Sequence, residues 1–270
     1  MKMPAPDEAV LARRDELITA LRVIVPGEGV ITDDLIIIRK NSGVLEAEVN
    51  GSVSEFFTPV VGTLSIALTV DGLDGNDTLV LDYASGALPD QITFDNGEEV
   101  RILGGGTEDV DFSDTRDPLT NQRVVTLTDG ATTQTVRVDA GALYELQALS
   151  SVTVTSEGQA DVVMVSRLAT SSISSQVALG IAGINGETLE IIDVVSVDLD
   201  LAANDAALTG SVDSVTVNDG ALRANASLTG LLISTGGGAD VINLNESSYF
   251  NAAATPGSPL TIDVGDGVDA

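Results

Sequence analysis

Histidine and cysteine are both absent from this chain of 270 residues, and tryptophan is absent as well. Without cysteine there is no disulfide framework, no thiolate nucleophile and no cysteine-based metal site. Without histidine the commonest general base and the commonest transition-metal ligand disappear together. A Ser-His-Asp triad and a histidine-bearing zinc site are therefore excluded, and only carboxylate chemistry survives. Long apolar runs are also lacking. No stretch of 18 such residues occurs, so no helix is expected to span a membrane. The N-terminus has neither a basic start nor a continuous apolar stretch, so no signal peptide is read there.

Aromatic residues make up only 3% of the chain, although 43% of it is hydrophobic. The apolar content is thus Val, Leu, Ile and Ala, which suits thin, repetitive cores with little room for large rings. It also separates the chain from a disordered acidic tail. Basic residues are scarce and unevenly placed. Residues 1–40 hold six of the twelve Lys and Arg against seven acids, while residues 41–270 hold 34 acids, six Arg and no Lys, a net of −28. Such a surface repels nucleic acid and anionic membrane, since it cannot neutralise phosphates. It suits a setting rich in divalent cations.

The chain divides at about residue 33, into a lead-in (1–33) and a longer region (34–270). In the lead-in, Val10, Leu11, Leu17, Ile18, Leu21, Ile24 and Val25 recur at helical spacing. Pro6 and Asp7 precede them as a cap, and Pro26-Gly27-Glu28-Gly29 follows as a stop, which predicts a helix over residues 7–25. Ala12-Arg13-Arg14-Asp15, Leu21-Arg22 and Val25-Pro26-Gly27-Glu28-Gly29-Val30-Ile31 resemble the N-terminal lead-in of FAD-linked oxidases of the glycolate oxidase type. Nothing of a flavin-binding domain follows, so that resemblance implies no activity here.

From Asp34 onward short β-branched runs recur, among them Leu35–Arg39, Ser65–Val70, Thr78–Leu81, Ile92–Phe94, Arg123–Leu127, Ser151–Thr155, Leu189–Leu199, Ser214–Val217 and Leu260–Val264. Most alternate with period two, as in Val152-Val154 and Val215-Val217, which puts one face of each strand inside. Turns such as Asn50-Gly51, Asp95-Asn96-Gly97 and Asp129-Gly130 separate them. The expectation is an all-β region, either a right-handed parallel β-solenoid (β-helix) or β-sandwich repeats. The aliphatic core and the recurrent Gly-Asp corners favour the solenoid, with one short N-terminal α-helix packed loosely or capping its end.

The sharpest motif is Gly72-Leu73-Asp74-Gly75-Asn76-Asp77-Thr78-Leu79-Val80. It resembles the hemolysin-type (RTX-like) nonapeptide, whose glycines open a tight loop and whose aspartate faces a metal before a strand begins. Thr235-Gly236-Gly237-Gly238-Ala239-Asp240-Val241 is a second match, and Val264-Gly265-Asp266-Gly267-Val268-Asp269 starts a third. Gly104–Asp109 and Gly158–Asp161 are degenerate relatives. The resemblance implies Ca2+ as cofactor, with Gly72, Asp74, Gly75, Asp77, Gly236, Gly238, Asp240 and Asp269 as the metal-site residues. Calcium needs six to eight oxygens, and one such loop offers about half of them. In sequence the three loops are not in tandem, which leaves a second reading open. Asn76 or Asp77 then bonds loop N–H groups and simply shapes a corner.

The wider texture is similar to repeat regions of very large bacterial exported proteins with calcium-binding or filamentous-haemagglutinin-like β-helices. That resemblance implies a non-catalytic structural or adhesive segment of a secreted or cell-surface protein. Its partners would be carbohydrate or protein of a cell surface or matrix, with self-association through uncapped solenoid ends. Residues 260–270 begin a strand and a loop, which suggests a longer parent chain. The rival is a carbohydrate-active enzyme on a β-helix, resembling pectate-lyase-like folds, with carboxylate pairs such as Asp33/Asp34, Glu98/Glu99 or Asp198/Asp200. Gly104-Gly105-Gly106 lacks the Lys-Ser/Thr of a phosphate loop.

Overall fold

The computed structural model describes residues 33–41, 44–56, 67–72, 75–112, 119–130, 132–139, 141–156, 160–184, 187–202, 212–218, 220–223, 227–245, 260–267 and 270, with the backbone of 22–24. Apart from turns and corners, the regular structure of these residues is strand, with one short 3₁₀ turn at Ala221–Arg223. The expected helix over 7–25 is corrected at its end. Arg22–Ile24 form strand β1, paired in parallel with Ala67–Asp71 (β5). Residues 7–21 lie outside the described residues. No helix among the described residues is long and apolar enough to cross a membrane.

Two large sheets are built from strands that the chain visits in turn. The first contains β1, β5, Gln91–Asp95 (β7), Asp109–Phe112 (β9), Arg123–Asp129 (β10), Thr132–Val138 (β11), Ser151–Thr155 (β13), Ser196–Asp200 (β17), Gly230–Ser234 (β19) and Leu260–Asp263 (β22). The second contains Leu35–Asn41 (β2), Val44–Val49 (β3), Ser52–Phe56 (β4), Thr78–Asp82 (β6), Glu99–Leu103 (β8), Leu143–Gln147 (β12), Val162–Leu168 (β14), Ala178–Ala182 (β15), Thr188–Ile192 (β16), Ser214–Val217 (β18) and Val241–Leu244 (β21). A third, minimal pairing joins Gly237–Gly238 (β20) to Asp266–Gly267 (β23).

Most pairings are parallel and keep register, so that Leu79, Val100 and Tyr144 stand in one inward row of the second sheet. Val110, Val152, Val197 and Leu231 do the same in the first. Alternate residues of both sheets meet in one aliphatic core, from Ile36 and Leu68 at one end to Val217 and Ile233 near the other. Period two in the sequence sets this directly. Most strands bury one face, and register with the neighbour stacks like on like.

The pairing is not parallel throughout, which departs from the expected uniform stack. In the first sheet β9 lies next to β13, and β10 and β11 run back antiparallel until β11 meets β7. In the second sheet β14, β15 and β16 form a matching meander that returns to β12. Leu189–Leu199, expected as one strand, is β16 and β17 in different sheets, separated by a corner where Asp193 takes φ 53°. The Asn50-Gly51 turn forms as expected: both residues have positive φ, 49° and 83°, as the tight β3–β4 hairpin requires.

Candidate functional site

The carboxylates at the entry to the second sheet form a ladder. Asp34 precedes β2, Asp77 precedes β6 and Glu98 precedes β8. Farther along, Asp161 precedes β14, Asp213 precedes β18 and Asp240 precedes β21. All but Glu98 are buried. The Asp34 N–H donates to Asp77 Oδ1 at 2.8 Å, and the Asp77 N–H donates to Glu98 Oε2 at 2.8 Å. Likewise the Asp161 N–H donates to Asp213 Oδ1 at 2.9 Å, and the Asp213 N–H to Asp240 Oδ1 at 2.9 Å. Main-chain bonds run the other way, from Thr78 N–H to Asp34 O and from Val241 N–H to Asp213 O, both 2.8 Å. Within each of these two sets a passage of the chain is thus tied to the next through an acidic side chain and a carbonyl, which satisfies donors that a corner would otherwise bury unpaired.

Gly72 and Asp77, two of the expected metal residues, face each other. A Cβ on Gly72 would lie 2.6 Å from Asp77 Oδ2 and 2.8 Å from the Asn96 carbonyl oxygen, so only glycine fits. Asp77 Oδ2 is buried without a hydrogen-bond partner. Burial raises the Asp77 carboxyl above the usual range; the bond from Asp34 N–H lowers it, and the charges of Asp34, Glu98 and Asp33 add to the rise. Gly75 completes the turn with φ 146°. Asn76 uses its own N–H on Asp33 Oδ1 at 3.0 Å. Asp77 therefore bonds the N–H of a neighbouring passage, and not of its own loop. Asp74 lies outside the described residues.

The second loop is not isolated, contrary to its reading from sequence. Gly237 and Gly238 pair in parallel with Asp266 and Gly267 of the third. The Ala270 N–H reaches Asp240 O at 2.9 Å, and the Thr235 N–H reaches Asp263 O at 2.9 Å. A Cβ on Gly265, whose φ is +64°, would collide with the Gly236 carbonyl, so closely do the two loops approach. Between Gly237 and Asp266, 29 positions apart, the chain adds β21 to one sheet and β22 to the other, so loops distant in sequence stack in space. Gly236 and Gly238 hold φ 80° and 156°. Asp269 lies outside the described residues, and among those residues no group of three or more acidic side chains is gathered as a metal cage.

A second polar constellation was not legible in the sequence. On the outer face of the second sheet Arg101, Glu145 and Glu190 stand in register. Arg101 Nε forms an ion pair with Glu145 Oε1 at 2.6 Å. Ser171 Oγ and Ser174 Oγ donate to Glu145 Oε2 at 2.7 and 2.6 Å, and Ser172 N–H and Oγ donate to Glu190 at 2.7 and 2.8 Å. The serine-rich segment 169–177 is thereby strapped over the sheet, and Glu145 is fully buried beneath it. Only the Ser-Ser-Ile-Ser-Ser run itself was a signal, and it named no partner.

Of the carboxylate pairs singled out earlier, Asp33 and Asp34 join the ladder region, and Glu98 is one of its rungs. Asp198 and Asp200 share the outer face of β17, where burial raises the Asp198 carboxyl and the charge of Asp200 adds to it. Comparison with family models, with curated proteins and with solved structures finds no match to this chain.

Proposed function

We propose that the chain is a non-catalytic, structural or adhesive repeat segment of a large exported or surface protein, built as a two-sheet parallel β-solenoid and rigidified by calcium at its Gly-Asp corners. The observation that carries this reading is the parallel pairing of Gly237–Gly238 with Asp266–Gly267. Two glycine-aspartate turns on successive passages can pool their oxygens, which one turn alone cannot. The in-register parallel rows and the aspartate ladder support a rod whose passages are tied to one another at the corner. The strongly acidic composition supports a partner that is cationic or a neutral glycan, and not nucleic acid.

Calorimetric titration of the calcium-free chain with CaCl2 and MgCl2 tests it. A site of this type should bind calcium at about 10⁻⁴–10⁻³ M and prefer it to magnesium, which resists losing its water. Asp240→Ala should remove most of that preference, and Asp77→Ala should remove what the Gly72–Val80 loop contributes. No calcium heat at millimolar concentration, or equal stabilisation by both ions, would leave the loops as corner devices of a metal-free segment.

A further inference from the structure

Tyr83, Ala87, Glu108, Leu127, Asp129 and Gln134 enclose a cavity of about 10 Å³. That is about the space one water-sized species needs. The Tyr83 hydroxyl and Gln134 Oε1 are both buried there without a hydrogen-bond partner. Buried polar groups are normally paired, so two orphans on one small cavity call for an occupant. Glu108 is buried as well, with Oε2 accepting the N–H groups of Gly105 at 2.7 Å and Thr107 at 3.2 Å. Asp129 stands at the exposed side, and among the described residues no Lys or Arg lines the cavity.

The chemistry of this lining is one-sided. Each of its four polar side chains offers an oxygen, and two of them are carboxylates. Burial, with the charge of Glu108 added, pushes the Tyr83 phenol well above its ordinary range, so it stays a neutral oxygen at physiological pH. Two carboxyl groups on so small a lining repel an anion, and a water would bring no positive charge to them. We propose that this cavity is a cation site for a single small hard ion of sodium or calcium size, held by Tyr83, Glu108, Asp129 and Gln134. Magnesium is disfavoured, because it demands near-ideal octahedral geometry at about 2.0–2.1 Å and gives up its waters reluctantly. None of these residues belongs to the Gly72–Val80 or Gly236–Asp240 loops. The site lies where regular succession breaks: Tyr83 follows β6, Glu108 precedes β9, and Gln134 is in β11. An ion there ties the β9–β11 meander to the end of β6.

Terbium luminescence tests the proposal on the full chain, since terbium resembles calcium in size and oxygen preference and is sensitised by a neighbouring tyrosine. The chain has three tyrosines and no tryptophan. Titration with TbCl3 should give saturable emission on tyrosine excitation. Tyr83→Phe should lose most of it, while Tyr144→Phe and Tyr249→Phe keep it. Gln134→Leu should weaken apparent binding about tenfold, and Gln134→Glu, of the same length with an added charge, should tighten it. Displacement by CaCl2 assigns the divalent ion, and displacement by NaCl but not by choline chloride at equal ionic strength assigns the monovalent one. Emission that survives Tyr83→Phe, absence of sensitised emission, or displacement by neither ion overturns the proposal and leaves the cavity to a water.

Discussion

Arg123 and Glu187 meet inside the protein, 3.3 Å apart, with both side chains almost wholly out of solvent. Arg123 opens β10 and Glu187 immediately precedes β16, so the pair joins the returning meander of one sheet to that of the other. The guanidinium also lies over the Phe112 ring, 5.5 Å from its centroid. Removing one partner takes this ion pair from two side chains that stay buried. Glu187→Leu or Arg123→Met alone should cost about 3–5 kcal/mol in chemical denaturation, whereas the double variant should recover most of that loss. A double variant as unstable as the singles would mean that the ion pair is not the tie.

Glycine requirements differ sharply along the chain. Gly72→Ala should destabilise by about 1–3 kcal/mol, since its Cβ would strike the Asn96 carbonyl as well as Asp77. Gly230→Ala meets nothing within 4 Å at an ordinary φ. It should leave stability unchanged or raise it by about 0.4–1 kcal/mol. Thermal unfolding of the two variants checks both signs.

Mild acidification should stabilise this protein. Asp77, Asp111 and Asp198 all have carboxyls raised mainly by burial. For Asp111 burial is the only cause, and for Asp77 and Asp198 neighbouring carboxylates add to it. A raised folded-state value means that the folded chain holds the proton more tightly than the unfolded chain. Stability is then greatest below the unfolded value and is lost as pH rises through the folded one. Glu46 works in the opposite direction. Its bonds from Arg39 and Asn41 lower its carboxyl, and that contribution is lost as pH falls through the folded value. The midpoint of thermal unfolding should therefore rise as pH falls from neutral toward about 4, the ordinary carboxylate value, and fall again once Glu46 is protonated below it. Asp77→Asn, which keeps an oxygen for the Asp34 N–H, should flatten the rise. A midpoint that falls steadily from neutral pH downward would contradict this.

Glu145 holds the serine strap and should be its weak point when replaced. Glu145→Leu removes the acceptor of Ser171 and Ser174 and leaves Arg101 without its ion-pair partner. It should cost about 3–5 kcal/mol and open segment 169–177 to limited proteolysis. Cleavage elsewhere, with the segment still protected, would show that other contacts hold the strap.

Local periodicity made the all-β character and most strands readable. Ser151–Thr155 and Ser214–Val217 were located to the residue, because each alternates cleanly between turn residues. Glu99–Leu103 and Leu143–Gln147 are not among the runs expected, since the first carries charged Glu99 and Arg101 on its outward face and the second has no β-branched residue. The two meanders could not be read either. Pairing direction depends on where the chain turns back, and Val162–Leu168 carries the same alternation whether its neighbour runs parallel or antiparallel. At the candidate corner, Gly72 and Asp77 were named together and do face each other. The stacking of Gly236–Gly238 on Gly265–Gly267 was hidden, because distance along the sequence says nothing of how long one passage through both sheets is.

The matched meanders have a consequence for how this chain can change. β9–β11 occupies three places in its sheet, and β14–β16 occupies three in the other. Each therefore adds two strands beyond a single crossing, which at the usual strand spacing is a step of about 10 Å along the sheet. Had only one sheet taken that step, every later strand would have lost the partner beneath it, and an apolar stripe of that width would have been left bare. The two segments, separated in the sequence by β12 and β13, are thus coupled like the two sides of a staircase. A deletion that shortens one should be tolerated only when the other is shortened by the same number of treads.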